Sequence, residues 1–376
     1  MSKIISKTNN GVNPTLVREQ TLEWQRRSVA NLLDLVGRKV KDREAEKLKR
    51  SVKNLYQGIL IDMLNGGDPK IGTTMIVRII SAKLGIKPTD VQRHLAFPSD
   101  YEPPRNFNKS LSITKTSLVV EYNANKFTEV NMPPSRLAEI LALELGDDEL
   151  IHFTERYAFL MPELGFFWSI HPDAYRIVTD LSASNPLSIN THKVIEGFAS
   201  PLNHNLDNWC SVYHRDIKFG AMGTFQDIIR SEVTPPHKSI RWVINPAYTE
   251  YIIDIAHREI IKRMETYPED EFLLLLPGWQ HLPIVEWLVK NGECWYMEGG
   301  SYRVYDHITD EDVNIPVGVN MLIGYVRSNK AVVPTVPFVN EVVEASTLST
   351  LAGDIPRPRI ITADDIRTNS ISNIKL

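Results

Sequence analysis

The sequence predicts an α/β fold, and two observations lead to it. Short apolar runs that end in turn residues recur in the second half of the chain, at 193–198, 239–244 and 271–276. Helical patterns lie between them, including one over 251–266. Strands that alternate with helices favour a mostly parallel sheet covered on both faces. Two further runs, at 294–297 and 319–326, are predicted to complete this sheet.

The first 134 residues are predicted to form a mostly helical region. One buried helix face, ending near Gly37, is indicated by the spacing of Val29, Leu32, Leu33 and Val36. A second apolar pattern comprises Val40, Leu48, Val52, Leu55, Tyr56, Ile59 and Leu60. Between residues 26 and 53 there are ten basic and four acidic residues, which fit either a solvated helix surface or a phosphate-contacting one.

The domain boundaries follow from changes of pattern. After a predicted strand at 117–122, Pro133 and Pro134 open a predicted helix that stops near Gly146 and carries Leu137, Ile140, Leu141 and Leu145. We therefore expect a helical region over 1–134 and an α/β domain over 135–330. Residues 331–376 contain scattered prolines and no sustained period, which predicts an extended or partly disordered tail that could bind a protein partner.

Composition excludes several classes of protein. The 376 residues carry a net charge of −4, so nucleic-acid contacts would have to come from local basic patches. Two cysteines are too few for a disulfide framework or a cysteine-based zinc site. No apolar run approaches the roughly 20 residues that span a bilayer, and no secretory signal is recognisable. An intracellular protein, cytoplasmic or nuclear and not bound to a membrane, is predicted.

The tetrapeptide Asn245-Pro246-Ala247-Tyr248 follows a predicted strand directly and suits adenine chemistry. Methylation at N6 requires a lone pair that conjugation withdraws into the ring. The Asn245 amide oxygen and the Pro246 carbonyl could accept the two N6 hydrogens, and Tyr248 could stack on the base. A turn and a peptide signal are the alternatives. The position after a strand favours the site, because ligands of parallel sheets lie beyond the carboxyl ends of the strands.

Two other predicted strand ends are unusual. The first runs through Glu196-Gly197-Phe198-Ala199-Ser200-Pro201-Leu202-Asn203, where small residues would let the backbone approach a cofactor closely. The third ends in Pro277-Gly278-Trp279. Trp279 could lie against the base or the cofactor, or belong to the core.

These motifs resemble the phosphorylated-CTD-interacting-factor family of cap-specific adenosine N6-methyltransferases. The run 194–203 is similar to that family's Glu-Ala-Phe-Ala-Ser-Pro-Leu-Asn signature, and 216–223 to its Asp-x-x-Phe-Gly-x-x-Gly stretch. The tetrapeptide at 245 is similar to its catalytic Asn-Pro-Pro-Phe, and 277–279 to a Pro-Glu-Trp. The resemblance covers about residues 150–330, and we recognise no WW domain of the kind that animal members carry.

The resemblance implies a Rossmann-like, S-adenosylmethionine-dependent methyltransferase domain that acts on capped RNA or another nucleic acid. Asn245, Pro246 and Tyr248 would bind the target adenine. The cofactor-side loop would comprise Glu196, Phe198, Ala199, Ser200, Pro201 and Asn203. Asp216 is a candidate ligand of the cofactor's ribose hydroxyls, and its alternative is a solvent-exposed loop aspartate. The reaction needs no metal.

Two departures from the family pattern keep other functions open. Ala247 replaces a proline and Gly278 replaces a glutamate, so a catalytically inactive scaffold or assembly subunit is one alternative. A DNA or internal-RNA adenine methyltransferase is another, because the chemistry at the base is shared. Lys218, Arg241 and Arg303 are candidate phosphate contacts. The histidines at 204, 214, 237 and 281 are interpreted as surface or hydrogen-bonded side chains.

Overall fold

The computed structural model describes residues 24–34 except position 33, six further residues between 52 and 81, and residues 87–95, 109–122, 126–164, 168–179, 192–232, 239–280, 282–316, 318–327, 337–347 and 358–366. After residue 87 the described helices are α1 (Pro88–His94), α2 (Pro134–Leu141), α3 (Asp147–Leu164), α4 (Pro172–Thr179), α5 (Phe225–Ile229), α6 (Glu250–Thr266), α7 (Pro283–Asn291) and α8 (Pro337–Ser346), with a 3-10 helix at His214–Phe219.

The strands are numbered in the same way. They are β1 (Lys109–Ile113), β2 (Ser117–Tyr122), β3 (Lys126–Asn131), β4 (Trp168–Ser169), β5 (His192–Ala199), β6 (Trp209–Ser211), β7 (Ser239–Ile244), β8 (Glu271–Pro277), β9 (Glu293–Met297), β10 (Arg303–Asp306), β11 (Glu311–Asn314), β12 (Met321–Arg327) and β13 (Arg359–Ile360).

The first of two compact units comprises residues 1–131 and 144–163. Its described residues between 24 and 34 are helical, and Leu32, Val52 and Tyr56 are buried as their spacing predicts. Most of the other positions in those two patterns lie outside the described residues. The unit also contains an antiparallel sheet of order β1-β2-β3, in which β2 confirms the strand predicted at 117–122.

The second unit comprises residues 132–143 and 164–376 and is built on a seven-stranded sheet. The strand order is β13-β9-β12-β8-β7-β5-β6. Strands β6, β5, β7 and β8 are parallel to one another, whereas β12 is antiparallel to both β8 and β9. A separate three-stranded sheet, β11-β10-β4, belongs to the same unit.

The burial of the central strands explains why their apolar sequence patterns predicted them. Every residue of β7 and β8 is buried, as expected for strands with both faces covered. Helix α6 connects these two parallel strands, and Thr249 caps it by accepting a hydrogen bond from the Ile252 amide at 3.2 Å. The predicted elements at 193–198, 239–244, 251–266, 271–276, 294–297 and 319–326 are confirmed, with boundary shifts of a few residues.

The strand order reverses between β5 and β7. From β5 the chain moves to β6 on one side, and then crosses to β7 on the other side of β5. In open α/β sheets this reversal leaves a crevice outside the carboxyl ends of the two strands, where ligands bind. Here those ends are Ala199 and Ile244, so the segments that follow them face the crevice.

Helix α2 is shorter than predicted. It ends at Leu141 rather than near Gly146, and Leu141 and Leu143 are 37% and 42% exposed. Only Leu137 and Ile140 of the predicted apolar face are buried. The following helix, α3, groups with the first unit, so the division of the chain also differs from a single boundary at 134.

The prediction of an extended tail over 331–376 is wrong for residues 337–346, which form α8. Pro337 is its first residue, a position where proline's missing N–H is harmless. Val339, Val342 and Val343 pack into the core of the second unit beside Val243 and Leu273. The apolar face of this helix is therefore used internally rather than offered to a partner. Beyond it, β13 pairs with β9 at the sheet edge.

The described residues contain neither a membrane-spanning helix nor a cluster of metal-ligating side chains. None of their helices is long and apolar enough to cross a membrane. Among the same residues, no group of three or more histidine, cysteine or acidic side chains is placed to hold a metal ion.

Candidate active site

A cleft lies at the carboxyl end of β7, and two of the predicted site residues line it. Asn245 and Tyr248 share this cleft with residues from the main sheet, from the small sheet and from the loops between them. These are Trp168, Ser169, Ile170, Leu275, Tyr302, Val304, Ile315, Val319 and Met321. The walls are mostly apolar, and the space between them is about 30 Å³, room for about one water molecule, so an adenine could enter only if the lining side chains moved apart.

The Asn245 side chain is oriented by one hydrogen bond. Its Nδ2 donates to the backbone carbonyl oxygen of Trp168 at 3.4 Å. A carbonyl can only accept, so the amide NH2 must face Trp168 and the Oδ1 atom must point elsewhere. At 3.4 Å the contact is long and therefore weak.

Of the remaining tetrapeptide residues, Tyr248 lines the cleft, whereas Pro246 and Ala247 do not. Tyr248 is half-buried, and burial raises the pKa of its hydroxyl to about 12, so the ring stays neutral at physiological pH. Pro246 and Ala247 are buried, and neither side chain lines the cleft. Pro246 could therefore serve a ligand through its backbone carbonyl alone. Thr249 then begins α6, which fixes the tetrapeptide between a buried strand and a capped helix.

The loop after β5 turns its side chains inward. Ser200 is fully buried, donates to Asn203 Oδ1 at 2.8 Å and accepts from the Leu202 amide at 3.2 Å. Phe198 packs on Phe225 with ring centroids 4.4 Å apart, and Ala199 is also buried. Contacts of this loop with a ligand would accordingly come mainly from the backbone, as the small residues suggested.

Glu196, in β5, is hydrogen-bonded to the backbone of that loop. Its carboxylate is buried and accepts hydrogen bonds from the Tyr175 hydroxyl and, at 2.9 Å, from the Asn205 amide. The sequence predicted a cofactor contact for Glu196, and the structure commits the side chain to protein partners instead. Tyr175, on α4, was not predicted. It lies 21 residues before Glu196, outside the motif that drew attention to the loop.

Replacing Glu196 with glutamine is expected to change how stability depends on pH. Burial raises the pKa of Glu196 from 4.5 to about 7. A raised folded-state pKa favours the fold while the carboxyl is protonated, below about pH 4.5, and that contribution is lost as the pH rises through about 7. The unaltered chain should therefore lose about 3 kcal/mol relative to Glu196→Gln across this range.

Urea unfolding at pH 5, 6, 7 and 8 measures this difference. Glu341→Gln, at an exposed position of α8, controls for the loss of one charge. A constant difference between the unaltered chain and Glu196→Gln would show that Glu196 does not titrate in this range.

Asp216 is buried, which excludes the solvent-exposed alternative. It lies in the 3-10 helix after β6 and accepts a hydrogen bond from Ser211 Oγ at 2.5 Å. Gly220 ends this helix with φ of 98°, a conformation that glycine adopts without strain. Asp216 follows the strand next to β5, and binding of a ribose hydroxyl there would require its buried carboxylate to become accessible.

The structure explains why glycine occupies position 278. The Gly278 amide donates to the Asn320 carbonyl at 2.7 Å. A Cβ atom there would lie 2.5 Å from Asn320 Cβ and 2.9 Å from its backbone, so a glutamate does not fit this arrangement. Trp279 is half-buried and is not among the residues that line the cleft.

Two of the candidate phosphate contacts are engaged elsewhere. The prediction for Arg241 is wrong, because its side chain is buried, pairs with Glu271 at 2.9 Å and donates to the Val178 carbonyl. Arg303 pairs with Asp312 at 2.8 Å and keeps 29% of its side chain exposed. Lys218 is exposed beside Asp216.

The predicted roles of the histidines hold where they are described. His204 is hydrogen-bonded, and its ring stacks on Trp209 with centroids 5.0 Å apart. His214 is exposed, 3.9 Å from Asp227. His237 and His281 lie outside the described residues. His307, which the sequence did not single out, shares a 2.9 Å hydrogen bond with Ser169 in the cleft wall.

Comparison with known families adds one observation. Residues 179–294 match the family model described as the phosphorylated CTD interacting factor 1 WW domain. The match contains β5, β6, β7 and β8, and therefore the loop at 196–203, Asp216 and the tetrapeptide at 245–248. It supports the resemblance to the phosphorylated-CTD-interacting-factor family.

The description of that family model names a WW domain, which the sequence did not lead us to expect. The described residues of the matched segment form the parallel strands of the seven-stranded sheet and their connecting helices. A sequence comparison with curated proteins gave no match.

Proposed function

We propose that the chain is an S-adenosylmethionine-dependent adenine N6-methyltransferase that acts on RNA, at the adenosine next to the cap. The observation that carries the proposal is the shared cleft of Asn245 and Tyr248 at the carboxyl end of β7. It combines an amide, hydrogen-bonded through its Nδ2 atom, with an aromatic ring, beside the point where the strand order reverses. Kinship of residues 179–294 with the family supports the same reaction.

The proposed recognition of adenine uses three groups. Asn245 Oδ1 accepts one N6 hydrogen and the Pro246 carbonyl accepts the other, which favours the pyramidal nitrogen that attacks a methyl group. The ring of Tyr248 stacks on the base, a contact that contributes about 1–3 kcal/mol. Alignment of the nitrogen with the methyl group is then the main task of the protein.

The residues around the crevice fit the proposed cofactor. Side chains of the 198–203 loop are turned inward, and the polar atoms of Ser200 and Asn203 bond to each other, so the backbone is the surface available to a ligand. Asp216 is the proposed partner of the ribose hydroxyls. When bound, S-adenosylmethionine supplies an electrophilic methyl group on a positively charged sulfur. The mostly apolar cleft walls would exclude water from the reacting nitrogen.

A methyl-transfer assay tests the proposal. Purified chain would be incubated with labelled S-adenosylmethionine and with capped RNAs that begin in A, 2′-O-methylated A or G, with uncapped RNA and with duplex DNA. We expect label only in the capped RNAs that begin with an adenosine. Label in DNA or uncapped RNA would favour the other adenine methyltransferase class. No transfer to any substrate would favour a scaffold role.

A further inference from the structure

A second set of contacts holds the loop after β5, and it comes from α2. Arg136 lies 68 residues before His204 in the sequence, and its Nη1 atom is 2.8 Å from His204 Nε2. Its Nη2 atom donates to the His204 carbonyl at 3.2 Å. The Arg136 side chain is only 16% exposed, and Glu139, on the same helix, pairs with it at 2.8 Å. The Arg136 guanidinium thus binds both the side chain and the backbone carbonyl of His204.

The His204 ring is fixed as an acceptor. A guanidinium has only donors, so Nε2 must accept from Arg136 and the imidazole is neutral with its proton on Nδ1. Burial, and then the charge of Arg136, lowers the pKa of His204 to about 4, while a hydrogen bond with the Leu206 backbone opposes this shift. The ring lies almost parallel to Trp209, with an angle of 6° between the planes. His204 therefore contacts Arg136, the Leu206 backbone and the Trp209 ring.

Contacts within the loop also hold it: Leu202 is buried, Ser200 bonds Asn203, and Asn205 Nδ2 donates to the Asn203 carbonyl at 3.2 Å. The amides of Asn203 and His204 donate to the Ser200 carbonyl at 3.2 and 3.1 Å. The Asn205 amide donates to Glu196 at 2.9 Å. Arg136 holds the loop through His204, and Glu196 holds it one residue later. Removal of either side chain should allow residues 203–205 to move while β5 itself stays paired.

We propose that Arg136 is a positioning residue, which sets the conformation of the 200–206 loop through His204 and thereby its affinity for the cofactor. The role in cofactor binding rests on the function proposed above, whereas the effect on the loop does not. No hydrogen bond joins Arg136 to either predicted base-binding side chain in the described structure, although its charge also helps to lower the pKa of His307, which bonds Ser169 in the cleft wall.

Three variants separate this role from a general effect on folding. Arg136→Gln removes the guanidinium. His204→Asn keeps a donor near the position of Nδ1 and leaves Arg136 only the backbone carbonyl of residue 204 as acceptor, whereas His204→Gln places an amide oxygen where Nε2 lay. We expect Arg136→Gln and His204→Asn to bind S-adenosylmethionine about tenfold more weakly, and His204→Gln to recover most of the affinity. Arg258→Gln, an exposed arginine paired with Asp254 on α6, is the control.

Two measurements on the full chain decide the question. Calorimetry gives the affinity for S-adenosylmethionine, and amide hydrogen exchange gives the protection of residues 203–205. Faster exchange at these amides in Arg136→Gln and His204→Asn, but not in His204→Gln or Arg258→Gln, is expected to accompany the loss of affinity. Unchanged exchange or unchanged affinity in Arg136→Gln would overturn the inference.

The same experiment distinguishes this inference from the proposed function. If the unaltered chain binds no S-adenosylmethionine, the proposed function and the cofactor role of Arg136 both fail. Exchange at residues 203–205 would then still report whether Arg136 holds the loop.

Discussion

Replacing Asn245 with alanine is expected to reduce methyl transfer to adenine by about 10²–10³-fold, the usual effect of removing one preorganised polar group at a reacting centre. The amide oxygen of Asn245 is the proposed acceptor for an N6 hydrogen, and alanine offers none. Asn245 does not belong to the cofactor-side loop, so the affinity for S-adenosylmethionine should stay within about twofold. Single-turnover rates and calorimetry on the same preparations measure the two quantities.

A matched control for this change exists elsewhere in the second unit. Asn291 also donates from Nδ2 to a tryptophan carbonyl, that of Trp287 at 2.8 Å, but it does not line the cleft. Asn291→Ala should therefore leave the rate unchanged. Tyr248→Phe should also retain activity, because the ring and not the hydroxyl is proposed to hold the base. Equal rates for Asn245→Ala and the unaltered chain would remove Asn245 from the reaction.

Replacing Arg263 with alanine is expected to destabilise the second unit by about 3–5 kcal/mol, because it leaves a buried carboxylate without its cation. Arg263 and Asp270 are 2% and 0% exposed, and Nε donates to Oδ2 at 2.7 Å. Asp270 also accepts from the Ile240 amide at 2.7 Å and from Trp242 Nε1 at 3.2 Å. The Arg263 guanidinium further covers Tyr267, 3.7 Å from the ring centroid. Urea unfolding followed by tryptophan fluorescence measures the change.

The control for Arg263 lies on the same helix. Arg258 forms an ion pair of almost the same length with Asp254, at 2.8 Å, but its side chain is 55% exposed. Exposed pairs contribute about 0–1 kcal/mol, so Arg258→Ala should change stability little. Adding Asp270→Asn to the Arg263 variant should recover part of the loss, because no uncompensated charge remains. Similar losses in the Arg258 and Arg263 variants would contradict the role given to burial.

The sequence predicted the central strands of the main sheet better than the small sheet and helix α8. Strands β5, β7 and β8 are short, mostly apolar runs, and α6 has a long helical pattern, so local residues largely determine them. The short strands β4, β10 and β11 are partly polar; β10 and β11 pair as sequence neighbours, and β4 joins β10 from a distant part of the chain. Helix α8 was missed because the prolines before it suggested an extended tail, although Pro337 starts the helix.

Only those residues of the candidate site that lie together in one sequence segment could be predicted. The tetrapeptide at 245 and the segment 196–203 are local motifs; the first follows β7, and the second covers the end of β5 and the loop after it. Trp168, Tyr302 and Val319 reach the cleft from distant parts of the chain, with no shared spacing to reveal them. The prediction that Arg241 contacts phosphate was wrong for a physical reason. An arginine in a strand reads as a surface residue unless its buried partner, here Glu271 on the neighbouring strand, is known.

A calorimetric titration of the full chain with S-adenosylmethionine tests the central claim most directly. We expect one site per chain, competition by S-adenosylhomocysteine, and binding at least tenfold weaker in Asp216→Ala, because a hydrogen-bonded carboxylate at the ribose would be lost. Saturable binding that Asp216→Ala weakens would place a cofactor in the crevice between β5 and β7. The absence of any saturable heat or competition would contradict that assignment.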